Sequence, residues 1–176
     1  MGLLKLDPPS RSRGPRSHLI PLNTKLRFFV TGWMPVIAWM ILIFAGSSDV
    51  LSAQQTSRFL VPFLLWLDPS MPYQTIAAIH VVVRKAGHVT EYAILAALLW
   101  RALRGTFPVI SKRVISVGTF AIAAAFAVSD EFHQSFVPSR TATLHDVFID
   151  WMGVALAITI CLLFSRQRTV ASASSR

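Results

Sequence analysis

The chain of 176 residues is 53% hydrophobic and only 14% charged, with a mean hydropathy of +0.55. A soluble domain carries roughly 25% charged residues, and a disordered chain is poor in apolar ones, so both classes are excluded. The net charge of +9 does not indicate nucleic-acid binding, because most Lys and Arg residues flank apolar runs instead of forming one patch. The composition therefore predicts a single membrane domain.

The first 27 residues carry basic side chains and Pro8, Pro9, Pro15 and Pro21, and we predict a flexible basic cytoplasmic tail there. The uncharged run that follows, residues 28–46, is 19 residues long, which is enough to cross a hydrocarbon core of about 30 Å. It is too long for a signal peptide and has no small-residue cleavage site. The single cysteine, Cys161, excludes a disulfide framework and a cysteine-rich metal site.

Three later apolar runs of 9, 16 and 15 residues end or begin at Arg101, Arg113 and Arg166. Because none reaches the roughly 20 residues of a spanning helix, each helix must carry polar residues into the bilayer at one end. Counting about 20 residues from each of these arginines predicts that the second helix begins near Val82, that the third ends near His133 and that the fourth begins near Asp146. The membrane domain is thus predicted at 28–165, followed by a short basic cytoplasmic tail at 166–176.

Between the first two helices, residues 59–67 form an apolar stretch too short to cross, which predicts an interfacial or re-entrant segment. Ser70 as N-cap and Pro72 in the first turn predict the start of the next helix. The fold class is an all-α membrane protein, a compact bundle of about four transmembrane helices. Small residues four apart predict close helix contacts, at Ala93/Ala97, Ala121/Ala125 and Gly153/Ala157.

The distribution of Lys and Arg predicts the orientation. Thirteen of the 17 lie on one side of the four predicted helices, and only Arg58, Arg84, Lys85 and Arg140 lie on the other. By the positive-inside rule, this multi-pass protein of the cell membrane has both termini in the cytoplasm.

This orientation brings polar residues from three helices to one membrane face, the outer one. Five of the eight acidic residues and three of the five histidines fall there. Ionisable residues at that depth usually face the interior of a bundle and serve function. The predicted site contains Lys85, His88, Glu91, Asp130, Glu131, His133, Gln134, Arg140, Asp146 and Asp150.

Helical spacing divides these residues into faces. Lys85, His88 and Glu91 share one face of the second helix, and Asp130, His133 and Gln134 share one face of the third. Glu131 points about 100° away from Asp130. Asp146 and Asp150 form an i, i+4 pair, and two carboxylates in a low dielectric need a cation, a proton or Arg140 between them.

Each residue also has a simpler interpretation. Lys85 or Arg84 alone is typical of a charge that extends to the interface, and a lone histidine is typical of a hydrogen-bonded interface residue. Glu131 and His145 are equally compatible with solvated loop positions. Ser47 and Ser48 are interpreted as a helix-end signal.

Three segments resemble the VanZ-like family of small bacterial membrane proteins: residues 84–92 (RKAGHVTEY), 129–140 (SDEFHQSFVPSR) and 146–153 (DVFIDWMG). The resemblance covers roughly residues 33–160, and the ten polar site residues match its motif positions. Ser139 stands where the family often has Gly. The family takes its name from a member associated with teicoplanin resistance, which implies a role at the cell envelope and specifies no reaction.

The leading hypothesis is chemistry on a lipid-linked or anionic envelope substrate. Lys85 and Arg140 would hold the anion, with Gln134, Asp146 and Asp150 as further substrate-binding residues. The catalytic candidates are His88, Glu91, Asp130, Glu131 and His133. The sequence does not specify whether a cofactor is bound. The sequence leaves open whether a metal binds. His88-x2-Glu91 lacks the second histidine of the H-E-x-x-H motif, so no established zinc motif is matched.

Other classes are weighed beside it. The S-R-x5-H-x3-D motif of lipid phosphatases is not matched, since His145 follows Arg140 one residue early and Asp146 takes the histidine's position. A non-catalytic pocket for a lipid headgroup or antibiotic, a proton or ion relay, and a structural polar network all remain open, so whether the chain is an enzyme is undecided. The expected partner in every case is membrane lipid.

Overall fold

The computed structural model describes residues 22–47, 53–137 and 143–174, which form five helices. They are α1 (Leu22–Gly46), α2 (Ala53–Leu67), α3 (Tyr73–Thr106), α4 (Lys112–Gln134) and α5 (Leu144–Ser174). There is no strand in these three ranges. The all-α fold class is confirmed. Helical backbone extends into both predicted tails, while residues 1–21 lie outside the described part.

Three helices are long and apolar enough to cross a membrane: Leu26–Gly46, Lys112–Gln134 and Leu144–Ser165. Most side chains in these spans are not buried within the protein, and large apolar ones such as Ile41, Val117 and Met152 are exposed. Apolar surface of this extent needs a lipid environment. The chain is therefore a membrane protein. Helix α3, with 34 residues, is long enough to cross but is not apolar enough to count as a candidate span by composition.

Helix α3 is the centre of the bundle, since it contacts all four other helices and most extensively α5. Its buried apolar face, represented by Leu95, Ala96 and Leu99, packs with Val36 of α1 and Val154 of α5. Helices α1 and α3 run in opposite directions: Arg101 Nη2 donates to the Thr31 carbonyl over 3.0 Å, and Trp39 Nε1 donates to the Glu91 carbonyl over 2.9 Å.

Helix ends follow local chemistry. Ser111 caps α4, where its hydroxyl accepts the Val114 N–H over 3.4 Å. The prediction that Ser70 caps the helix after the interfacial segment is wrong: the N-cap residue of that helix, α3, is Pro72. Ser70 instead donates its N–H and hydroxyl to the Asp68 carboxylate. Those bonds lower the pKa of Asp68, so the turn is best held when the carboxylate is ionised and loosens as the pH falls.

The segment between the first two spanning regions is a helix. Residues 59–67 lie within α2, which contacts α3 sparsely and exposes Phe59 and Trp66. This matches an amphipathic segment at the membrane interface. Among the predicted small-residue pairs, Gly153 and Ala157 are buried, whereas Ala97, Ala121 and Ala125 are exposed.

Helices α3 and α5 run parallel and in close contact. A Cβ atom added at Gly153 would collide with the backbone of Val89, its carbonyl oxygen first. No other residue type fits there without moving one helix. The glycine thus fixes how near α5 lies to α3.

Candidate functional site

One end of the bundle, which we call the polar end, is formed by the last turns of α1 and α4, the first half of α3 and the first turns of α5. Its buried polar side chains lie on all four helices: Ser47, His88, Asp130, Glu131, Gln134, Asp146 and Asp150. The convergence expected from the sequence is therefore present. The tertiary structure divides these residues into smaller groups with different surroundings.

An ion pair between Arg84 and Asp146 and a hydrogen bond between His88 and Asp150 connect α3 to α5. The Arg84 guanidinium donates to Asp146 Oδ2 over 3.3 Å, and His88 Nδ1 lies 3.0 Å from Asp150 Oδ1. The partners are four residues apart on each helix, so the pairs stack one turn apart along parallel helices. Asp146 and Asp150, for which the sequence required a cation, a proton or Arg140, each have a separate partner on α3.

Asp130 is the centre of a second group. Its Oδ2 atom accepts hydrogen bonds from the Ser47 hydroxyl over 2.7 Å, from Gln134 Nε2 over 3.1 Å and from the Tyr92 hydroxyl over 3.4 Å. Gln134 Nε2 also lies 3.1 Å from the Ser47 hydroxyl. Asp130 and Gln134 are almost fully buried. This group joins α1, α3 and α4 in the interior of the polar end.

Glu131 belongs to neither group. It is buried, and its Oε1 atom accepts the Thr143 N–H just before α5 begins. The interpretation of Glu131 as a solvated loop residue is wrong, because it lies within α4 and faces α5. The sequence could indicate only that it points away from Asp130.

A partly open cleft of about 180 Å³ lies beside His88 at the polar end. This volume is large enough for several water molecules. The polar side chains that line it are Ser47, Thr56, His80, Arg84, His88, Glu91 and Gln134. Asp130, Asp146 and Asp150 are not among the lining residues, so they support the cleft from behind.

The remaining predicted residues lie elsewhere. Lys85 is exposed and does not line the cleft. His133 stacks on Phe44 with the ring centroids 4.0 Å apart. His145 is exposed. Arg140 lies outside the described residues.

Three residues of the polar end were not in the predicted site. Ser47, interpreted as a helix-end signal, is buried and bonded to Asp130, and Arg84 takes the place expected for Lys85. Tyr92 is fully buried beside Asp130. Its position four residues after His88 was the available signal, whereas nothing local distinguishes Ser47.

In the described ranges, no group of three or more His, Cys, Asp or Glu residues could hold a metal ion. Four carboxylates of the polar end, Asp130, Glu131, Asp146 and Asp150, each have one oxygen held by a protein donor. Asp130 Oδ1, Glu131 Oε2 and Gln134 Oε1 are buried without a hydrogen-bond partner among the described residues. The described side chains therefore fit hydrogen-bond and ion-pair chemistry.

The fold and the site together define a class of protein. It is a small helical membrane protein whose apolar spanning helices surround buried acids and a histidine at one end of the bundle. The chain matches the model of the VanZ/LLP1 family over residues 29–165 and belongs to that family. Comparison with curated proteins gave no match, and comparison with solved structures gave none either.

Proposed function

We propose that this membrane protein binds the polar headgroup of a cell-envelope lipid in the cleft at the polar end, and that His88 exchanges a proton with it. One observation carries the proposal: His88 lines the cleft, while its Nδ1 atom is held by a buried carboxylate behind it. A carboxylate at Nδ1 fixes the tautomer and the ring orientation, which leaves Nε2 for the bound molecule.

Arg84 gives the cleft a group for an anion. Asp146 accepts from one guanidinium nitrogen, and a guanidinium has five N–H donors in a planar arrangement. The remaining donors suit a phosphate or carboxylate of the ligand. In this proposal Arg84 holds the anion in place of Lys85, which does not line the cleft, and Arg140 stays a candidate.

Glu91 is the second candidate acid or base, since it lines the cleft one helical turn from His88. Gln134, on α4, offers its amide to the same space. The proposal thus places two groups that can transfer a proton and one cation around a cavity of headgroup size. It requires no metal.

The location of the cleft is part of the proposal. Thirteen of 17 basic residues lie on the opposite side of the spanning helices, which supports a polar end facing out of the cell. A headgroup would then enter from the outer leaflet. By family association, we expect expression to protect a sensitive bacterium against a glycopeptide such as teicoplanin.

A structural role is the second candidate, and the Asp130 group favours it for part of the polar end. Asp130 joins three helices by hydrogen bonds and does not line the cleft. We therefore propose Asp130 and Ser47 as residues that hold the helices in register, and His88 as the one that meets the ligand.

Replacing His88 by Asn tests the proposed function. The Asn amide can still donate to Asp150, so we expect normal membrane levels, but the titratable nitrogen is lost. General acid–base catalysis contributes roughly 10²-fold or more, so glycopeptide protection should fall to that of cells without the protein. The measurement is the inhibitory concentration, together with an immunoblot of membranes.

His145→Asn is the matched control, because His145 lies at the same end but is exposed. The His145→Asn protein should reach the wild-type level in the membrane and give wild-type protection against the glycopeptide. If His88→Asn protects as well as the wild type, proton transfer at His88 is refuted. Protection that disappears only together with the protein would assign His88 to the structural network.

A further inference from the structure

A second cavity lies between α4 and α5 and shares no residue with the cleft beside His88. This α4–α5 groove measures about 410 Å³, and its apolar lining consists of Val128, Phe132, Leu144, Val147, Phe148 and Trp151. Its polar side chains are Glu131, Ser135 and Thr143. Phe132 and Phe148 are 66% and 60% exposed, so the groove opens on the outer surface of two spanning helices. The surrounding medium there is bilayer lipid.

Glu131 is the unusual member of this lining. It is 7% exposed, its Oε1 atom accepts the Thr143 N–H, and its Oε2 atom is buried without a hydrogen-bond partner among the described residues. No Lys or Arg of the described ranges forms an ion pair with it. A buried carboxylate oxygen without a donor is costly, so this oxygen indicates a missing donor.

The groove has a polar and an apolar end. Ser135 and Thr143 lie where α4 ends and α5 begins, and Val128 and Trp151 lie about 10 Å deeper along the two helices at 1.5 Å per residue. Trp151 Nε1 is a second buried polar atom without a partner in the described part of the chain. From the interface inwards, the groove thus offers first a hydrogen-bond acceptor and then apolar walls with one N–H donor.

We propose that the α4–α5 groove binds a phospholipid with a primary ammonium headgroup. The ammonium donates to Glu131 Oε2 and compensates its charge, one acyl chain lies along Val128 and Phe148, and an ester carbonyl accepts from Trp151 Nε1. A quaternary choline headgroup has no N–H to donate, and a phosphatidylglycerol headgroup adds negative charge beside Glu131. This site is independent of the cleft and of the proposed function.

Quenching of Trp151 fluorescence tests the proposal. The purified chain in detergent is titrated with ethanolamine or choline phospholipids that carry the same brominated acyl chains. The chain has five tryptophans, so the Trp151 signal is the difference between the wild type and Trp151→Phe. We expect half-quenching at a roughly tenfold lower concentration of the ethanolamine lipid, about the effect of one charge-assisted hydrogen bond.

Variants separate the headgroup contact from the acyl contact. Glu131→Gln should abolish the preference for ethanolamine, whereas Asp68→Asn, at an exposed acid that lines neither cavity, should keep it. Val128→Phe fills the groove and should remove Trp151 quenching by both lipids, which decides the question even if Glu131→Gln does not fold. Equal quenching by both lipids in the wild type, stronger quenching by a brominated phosphatidylglycerol, or a preference that survives in Glu131→Gln would overturn the proposal.

Discussion

Gly153→Ala is expected to destabilise the protein by about 3 kcal/mol, or to prevent its accumulation in the membrane. The new Cβ atom would collide with the backbone of Val89, which cannot rotate away as a side chain can. Moving α5 outward would also stretch the Arg84–Asp146 and His88–Asp150 pairs, which lie on the same contact between α3 and α5. Thermal unfolding in detergent, followed by the loss of monodisperse protein, measures the change.

Gly118→Ala is the matched control, a glycine on a neighbouring helix. A Cβ atom there would meet only Leu103 Cδ1 at 3.9 Å, which is ordinary contact, and Ala favours a helix over Gly. Its unfolding temperature should equal or exceed that of the wild type. A Gly153→Ala protein as stable as Gly118→Ala would mean that α3 and α5 are not held at this distance.

Asp130→Ala is the second change with a large expected effect. It removes the acceptor of three buried donors, on Ser47, Tyr92 and Gln134, and leaves a cavity. Unsatisfied buried groups cost about 1–3 kcal/mol each, so we expect a loss of about 3 kcal/mol or more after partial rearrangement. Thermal unfolding in detergent measures this change too. Ser47→Ala removes only one of the three donors to Asp130, so it should destabilise the protein less.

Asp130→Asn separates structure from chemistry at this position. The amide oxygen of Asn can still accept from Ser47 and Gln134, so the destabilisation should be much smaller than for Ala. Because Asp130 does not line the cleft, glycopeptide protection should persist. A stable Asp130→Asn protein without protection would falsify the structural assignment and return Asp130 to the catalytic role that the sequence suggested.

Helix positions were largely predictable, because charged residues bound the apolar runs. The third helix was predicted to end near His133 and ends at Gln134, and the fourth was predicted near Asp146 and begins at Leu144. The second was harder to place. Counting a membrane span back from Arg101 reached only Val82, whereas the Ser70–Pro72 signal predicted an earlier start, and α3 begins at Tyr73. The polar residues of its first half, which line the cleft, are what the hydropathy count left out.

Helical periodicity could not decide between Arg84 and Lys85 as the residue that meets α5. At 100° per residue, Arg84 lies about 40° from His88 on one side, and Lys85 lies about 60° from it on the other. Both are compatible with one helix face. Only the rotation of α3 against α5 brings Arg84 to Asp146 and leaves Lys85 exposed.

Ser47 illustrates a different limit. A serine at the end of an apolar helix is typical of a simple end signal, and no spacing within α1 relates it to Asp130. The two residues are 83 positions apart in the chain and are joined by a 2.7 Å hydrogen bond. Such a contact depends on how deep one helix lies relative to another.

The sequence by itself determined the membrane class, the approximate helix positions, and the end of the bundle at which acids and histidines gather. These follow from hydropathy and charge along the chain, which local counting captures. Tertiary structure alone decided which acid meets which partner, and divided the polar end into the cleft of His88 and the groove of Glu131. The physical reason is that the rotation and depth of each helix are set by packing between helices, as at Gly153 against Val89, and a linear pattern does not encode either quantity.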